Sequence, residues 1–259
     1  MKICVLIKQV PDKDSPLSIS DNNLSISESN ITWVANESDS YALEEALQIK
    51  EKQSGEVVVC TLGKESAQQI MKDALAKGAD RGILLLDPAF ENLDILSTAK
   101  AIANAIREEK FDLILSGLQS DDQGNSQLGL LLAELLDMSH ASLGMGTEMT
   151  GDSGIKVKRE LESGWFQWTE LTLPASISIQ SGINSPRYAT LKGIMMVKKK
   201  TVDELNAEAV GGDSINSKVQ LKNLYIPEKS KETTFIDGSP DEISDKLVDI
   251  FKNEIKVLN

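Results

Sequence analysis

Four short runs in the first half of the chain, at 3–7, 57–62, 83–86 and 113–116, are apolar at nearly every position. A strand that is apolar on both faces must be buried on both, and a parallel sheet covered by helices on either side does this. Parallel neighbours need long crossovers, and the segments between these runs carry a helical period. In the clearest, Ala67, Ile70, Met71, Ala74 and Leu75 recur at i, i+3, i+4, i+7 and i+8, and the pattern stops at Gly78, a residue suited to a left-handed cap. A second helix is expected from the cap-rich Asn36-Glu37-Ser38-Asp39-Ser40 to near Gly55, and a third from about 93 to 107. This alternation predicts a doubly wound, mostly parallel α/β sheet.

Beyond Gly144 the texture changes. Gly144, Gly146, Gly151 and Gly154 predict a loop, followed by a β-hairpin over 156–161 and 165–173 and a further strand over 175–180. From 181 to 200 neither period is evident. The tail contains Gly211-Gly212, a strand-like Leu224-Tyr225-Ile226 and a final amphipathic helix, in which Ile243, Leu247, Ile250 and Phe251 form a stripe behind a Ser239-Pro240 start. The 259 residues therefore read as one α/β domain of about 180–200 residues plus an arm, since the second half lacks a periodic core of its own.

Charge narrows the functional classes. Forty acids against 27 Lys and Arg leave a formal −13, which opposes general binding to nucleic acid, because such binding is driven by phosphate neutralisation. The balance is uneven: from Leu171 to Val202 there is no acid, while Arg187, Lys192, Lys198, Lys199 and Lys200 are all cationic. No apolar run reaches the roughly 20 residues needed to cross a bilayer, and the greasiest stretch, 128–138, is interrupted by Glu134. A membrane-inserted chain is not expected. Cys4 and Cys60 both sit in apolar strand-like runs, as buried thiols in a reducing compartment do, which makes the Asn-x-Ser/Thr triplets at Asn23, Asn30 and Asn36 chance occurrences.

In an open α/β sheet the place to look for a ligand is the carboxyl edge. Three segments meet that description: 6–8 at the end of the first strand, the cap region 36–39, and the loop 116–129, rich in small and hydrogen-bonding residues and opening into a helix near Ser126. This last loop either presents amides to a phosphate or is a plain strand-to-helix turn. No G-x-G-x-x-G follows the first strand, and no G-x-x-x-x-G-K-S/T occurs. The single histidine, His140, stands just past a helical run, where a packing or helix-terminal role is expected, and no serine sits in a G-x-S-x-G elbow. Asp121 and Asp122 form either an acid/base pair or a capping pair. The residues describe a nucleotide-binding module without an evident reaction.

A set of longer segments carries a family resemblance. Val157-Lys158-Arg159-Glu160-Leu161-Glu162-Ser163-Gly164, Leu173-Pro174-Ala175, Asn184-Ser185-Pro186-Arg187-Tyr188-Ala189-Thr190-Leu191-Lys192-Gly193-Ile194-Met195 and Lys198-Lys199-Lys200 together resemble the beta (small) subunit of electron-transfer flavoprotein. Val5-Leu6-Ile7-Lys8-Gln9-Val10, Leu43-Glu44-Glu45-Ala46 and Leu75-Ala76-Lys77-Gly78-Ala79-Asp80-Arg81-Gly82 extend the resemblance over nearly the whole chain. Tyr225-Ile226-Pro227-Glu228-Lys229 is similar to bacterial members that serve methylamine-type dehydrogenases.

The resemblance implies a Rossmann-like, adenine-nucleotide-binding domain over 1–185, with a β-hairpin addition, and a recognition loop and extended C-terminal arm over 186–259 that dock on a larger alpha subunit. It implies an electron carrier and not an enzyme, located in the bacterial cytoplasm. Such a carrier holds a structural AMP, shares an FAD with the alpha subunit, takes electrons from a flavin-containing dehydrogenase and passes them to a quinone oxidoreductase of the respiratory chain. The matching nucleotide-site positions are Leu6, Asn36, Glu37, Ser38, Asp39, Leu62, Gly63, Ser120, Asp121, Asp122, Gln123, Asn125, Ser126, Gln127 and Leu128. The backbone amides of Gln127 and Leu128 would face the phosphate. Leu128 stands where many relatives have a threonine, and Lys13 and Ser38 stand where some place aromatics near the flavin. The partner-binding positions are Pro186, Arg187, Tyr188, Leu191 and Ile194, with Leu191 the residue that enters an apolar pocket on the dehydrogenase. Two alternatives accompany this reading: a bifurcating relative with a second FAD in place of AMP, and a stand-alone adenine-nucleotide-binding module.

Overall fold

The computed structural model describes residues 1–228 and 233–258. Lys229, the last residue of the Tyr225-to-Lys229 match, lies outside them. In chain order the elements are β1 (Lys2–Leu6), β2 (Gln9–Pro11), β3 (Trp33–Ala35), α1 (Glu37–Gln53), β4 (Glu56–Leu62), α2 (Gln68–Lys77), β5 (Arg81–Leu85), α3 (Ile95–Ile106), β6 (Leu113–Gly117), α4 (Leu128–Leu135), β7 (Ser139–Met149), β8 (Gly154–Glu160), β9 (Phe166–Thr172), β10 (Ala175–Ile179), α5 (Leu191–Met196), β11 (Val202–Leu205) and α6 (Pro240–Asp249). The main sheet runs β11-β5-β4-β1-β6-β10-β7-β8-β9, parallel from β11 to β7 and antiparallel through the β7-β8-β9 meander.

The four apolar runs become the central strands because alternate side chains feed two separate cores. Ile3, Val5, Val57, Val59, Leu113 and Leu115 point to the face covered by Ala42, Leu43, Ala46 and Leu47 of α1 and Ile70, Met71, Ala74 and Leu75 of α2. Cys4, Leu6, Val58, Cys60, Ile83 and Ile114 point to the opposite face, under Ala99, Ile102, Ala103 and Ile106 of α3 and Leu132 of α4. Both cysteines are buried free thiols, as their apolar flanks predict, and the hydrogen bond with Cys60, together with burial, pushes the Cys4 thiol up. Among the described residues, no helix is long and apolar enough to cross a membrane.

Three local expectations are corrected. Gly144 and Gly146 do not form a loop; they lie within β7, and Gly144 pairs with Arg159 of β8 beside a register shift. A side chain at Gly144 would press on Ile177 of β10, so the glycine serves close strand packing. The helix expected near Ser126 starts at Leu128, because Ser126 takes a left-handed φ of 55°. Leu224-Tyr225-Ile226 is not a strand.

The chain divides into two compact units, Met1–Asn223 and Leu224–Asn259. The first includes a parallel edge strand, β11, which carries no alternating pattern, and the short helix α5 within the aperiodic 181–200 stretch. In the second, α6 begins as Ser239-Pro240 predicts: the Ser239 hydroxyl accepts from the Glu242 N–H, and the Glu242 carboxylate reaches back to the Ser239 N–H. Leu115, fully buried in the central β6, is a direct test of the two-layer core. Leu115→Ala should lower the unfolding free energy by about 2–5 kcal/mol in chemical denaturation, the range for a large-to-small change in a packed interior.

Candidate functional site

The strand order departs from β1 in two directions, to β4 and β5 on one side and to β6 and β10 on the other. At such a switch point the strand ends and helix N-termini diverge and leave a crevice. A cavity of about 250 Å³ opens here, lined by Leu6, Ile7 and Lys8 after β1, Cys60 and Leu62 of β4, and Ser116, Gly117, Leu118 and Gln119 at the end of β6.

The start of α1 is fastened to this crevice by side chains that would otherwise only cap a helix. Asn36 occupies the N-cap position but makes no capping bond. Its amide instead donates to the Gln119 carbonyl at 2.9 Å and accepts from the Asp121 N–H at 2.9 Å. Ser38 donates to the same Gln119 carbonyl, and Asp121 accepts from the Glu37 N–H at 3.3 Å. Asp39 links both strands: its carboxylate accepts from the Lys8 N–H at 2.8 Å and the Gly117 N–H at 2.9 Å. Gly117 is obligatory for steric reasons, since a Cβ there would collide with Ser38 Oγ and the Asp39 carboxylate. The Asp121/Asp122 pair is a fastener: Asp121 binds the start of α1, and Asp122 pairs with Lys8 Nζ at 2.8 Å.

The opposite wall carries the hydrogen-bonding capacity. Gln127 is the N-cap of α4 and gives it no side-chain cap, and Gln127 and Leu128 line the cavity, so the helix begins beside it with its first N–H groups outside the intrahelical ladder. By contrast, the N-terminus of α3 is closed by Asp94, which accepts from the Ser97 N–H at 2.7 Å. Ser116 lines the cavity, and its buried Oγ has no hydrogen-bond partner. Phe90, Leu93 and Ile102 add apolar lining, together with the polar Asn92 and Thr98. A lining that mixes apolar side chains with hydrogen-bonding groups beside a helix start suits a ligand with both apolar and anionic parts.

Of the nucleotide-site positions expected from the sequence, Leu6, Asn36, Asp39, Leu62, Ser120, Gln123, Asn125, Ser126, Gln127 and Leu128 line the cavity. Glu37, Ser38, Gly63, Asp121 and Asp122 lie outside the lining. Phe90, Asn92 and Leu93 of the β5–α3 connection and Ile95, Thr98 and Ile102 of α3 also line the cavity and were not expected from the sequence. A cue was present in Asp87-Pro88 and in Asn92-Leu93-Asp94, a turn and cap signal at the carboxyl end of a strand. No cluster of His, Cys, Asp or Glu among the described residues can hold a metal ion, and the exposed His140 lies in β7.

A second surface lies on the acid-free segment. Tyr188 is 93% exposed, Leu191 82% and Met195 75%, with Ile194 beside them, so these side chains do not pack under the loop. Lys192, Lys198 and Lys199 are exposed around them. Pro186 is half-buried. Arg187 is held by acids: its guanidinium binds both carboxylate oxygens of Glu44, at 2.8 and 3.0 Å, and reaches Glu51 at 2.5 Å.

The family model described as the electron transfer flavoprotein domain matches residues 23–210. The electron transfer flavoprotein subunit beta of Methylophilus methylotrophus is 35% identical, with 99% of each chain covered. The protein of the same name from Bacillus subtilis is 32% identical with 100% of each chain covered, and that of Syntrophomonas wolfei is 34% identical, covering 99% of this chain and 98% of its own.

The joint at Asp39 gives a pH signature. Burial pushes its carboxyl from 3.8 up to about 7, against the opposing pull of the Lys8 and Gly117 N–H groups, the Asn36 amide and the Lys8 charge. The folded chain thus holds this proton more tightly than the unfolded chain. Its stabilising contribution is complete below about pH 4 and is lost as pH rises to about 7. Wild type should lose stability relative to Asp39→Asn between pH 4.5 and 7.5 in parallel denaturant titrations, by an amount on the order of 1 kcal/mol or more. A pH-independent difference between the two proteins contradicts this assignment.

Proposed function

This chain belongs to the electron transfer flavoprotein family, as a beta subunit, and from that membership we propose that it is the nucleotide-holding half of a heterodimeric electron carrier. An alpha subunit is the partner. FAD shared with that subunit supplies the one- and two-electron redox chemistry when bound, and this chain's residues provide binding, enclosure and recognition. A carrier of this kind needs no nucleophile and no general acid, in keeping with the absence of an evident catalytic group in the sequence.

The observation that carries the nucleotide assignment is that one cavity is lined both by the start of α4, which has no side-chain cap, and by Ser116, whose buried Oγ has no partner. The residues present fit AMP. The amides of Gln127 and Leu128 would hold the phosphate, where the positive end of the helix dipole favours an anion, with Ser120, Gln123, Asn125 and Ser126 around it. Leu6, Leu62, Phe90 and Leu93 would take the adenosine. Asn36 and Asp39 hold the two loops in register, while Glu37, Ser38, Gly63, Asp121 and Asp122 support the site from outside its lining. Leu128 cannot supply the hydroxyl that a threonine would, so backbone amides take over the phosphate.

The division at 185/186 is a division of labour: residues 1–185 hold the nucleotide, and 186–259 recognise partners. Tyr188, Leu191 and Ile194 form an apolar anchor ringed by Lys192, Lys198 and Lys199, a combination suited to a pocket on an acidic surface. The partner there is a flavin-containing dehydrogenase in the bacterial cytoplasm, and a quinone oxidoreductase carries the electrons onward to the respiratory chain.

Purification of the complex, denaturation and chromatography of the released nucleotides should give one FAD and one AMP per heterodimer. Two FAD per dimer, or a stable lone chain without flavin, overturns the assignment. Leu191→Ala should slow reduction of the complex by the dehydrogenase roughly tenfold, as loss of a hot-spot side chain does, with flavin content unchanged. Unaltered stopped-flow kinetics would remove Leu191 from the interface.

A further inference from the structure

The segment 184–200 presents its apolar side chains outward, yet its polar groups are tied down at both ends. At the start, Asn184 Nδ2 donates to the Tyr41 carbonyl at 3.1 Å and to Glu45 at 3.0 Å, and the Arg187 N–H donates to Glu44 Oε2 at 3.1 Å. The Arg187 side chain then closes a bidentate fork on Glu44, whose side chain is only 6% exposed. At the far end, Lys200 Nζ donates to the Leu75 and Ala79 carbonyls at the close of α2, at 2.8 and 2.5 Å. Between them α5 rests on α2 at Gly193, where any Cβ would collide with the Ala76 carbonyl.

A six-residue helix does not hold its own orientation in water, so these ties set the direction in which Leu191 points. Arg187 is central among them. Its donors are directed to Glu44 and Glu51, and its charge is offset by both carboxylates, which leaves little to offer an incoming surface. Among the described residues Lys192, Lys198 and Lys199 form no ion pair, and they stay exposed.

We infer that Glu44 and Arg187 are positioning residues for partner recognition: the buried Glu44 carboxylate locks Arg187 and so preorganises the Leu191 anchor, and Arg187 does not itself contact the electron donor. This rests on the recognition reading of Leu191 proposed above. The geometry separates it from a direct contact role. If Arg187 met the partner through its charge, Glu44→Gln would weaken a competitor and leave binding unchanged or improved, and Arg187→Lys would be well tolerated. If the fork positions α5, both variants must weaken binding alike, because neither restores two parallel hydrogen bonds.

The test uses the intact heterodimer with the flavin-containing dehydrogenase that reduces it. Glu44→Gln and Arg187→Lys are each expected to raise the apparent KM for the carrier roughly tenfold with kcat and flavin potential unchanged, since a misplaced anchor affects encounter and not chemistry. Amide hydrogen exchange over 188–196 should accelerate in both variants while exchange in β1, β4 and β6 stays as in wild type. A Glu44→Gln variant with wild-type or lower KM overturns the inference, as does unchanged exchange over 188–196. Leu191→Ala run in parallel distinguishes the two layers: if it leaves KM unchanged, the recognition reading fails, while the exchange data still report on the clamp.

Discussion

Asp39 is the joint on which the crevice depends. One carboxylate in the first turn of α1 receives the N–H groups that follow β1 and end β6, the two strands at which the sheet changes direction. Strand ends at a switch point leave backbone donors without ladder partners, and a buried donor without an acceptor is strongly unfavourable. Asp39 satisfies both at once, at the expense of desolvating its own charge. Asn36 and Ser38 extend the joint to the Gln119 carbonyl, and the glycine at 117 lets the helix start approach closely enough. The position of the loop leading to α4, and hence of its open amides, follows from these contacts.

The charge distribution is organised by the same economy of partners. The acid-free segment looks uniformly basic in sequence, yet its cations divide in the structure. Arg187 is bound by Glu44 and Glu51, and Lys200 caps the end of α2. Lys192, Lys198 and Lys199 remain exposed on the same segment as Leu191. Two cations hold the segment on the acidic body, and three give it a field of its own. A formal −13 therefore describes a body whose acids in part anchor the one basic feature it carries.

Most of the framework was legible because it rests on local rules. Runs apolar on both faces point to a strand buried between two layers, and Gly78 and Ser239 mark helix ends through backbone needs that any helix shares. The candidate site was half legible for the same reason. Residues 6, 36–39 and 120–128 stand beside strand ends and caps, where sequence patterns point. Phe90, Asn92, Leu93, Thr98 and Ile102 did not stand out, because their place in the cavity depends on α3 crossing to the α4 side of the sheet. Gly144 and Gly146 misled, since glycine signals a turn and a crowded strand equally well.

By itself the sequence determined the class of fold, the burial of each central strand on both faces, the first three helices and the start of the last, and the segregation of positive charge, all of which follow from periodicity, capping and composition over a few neighbouring residues. Tertiary structure decided what each polar group does. It turned Asn36 from a cap into a fastener, gave Arg187 to Glu44 rather than to solvent, left Ser116 and the start of α4 facing a cavity, and added β11 to the sheet edge. These outcomes depend on pairs far apart in the chain, such as 39 with 117 and 44 with 187. A pairing of that kind is fixed by burial and by the competition among acceptors within reach, and neither quantity exists until the chain has folded.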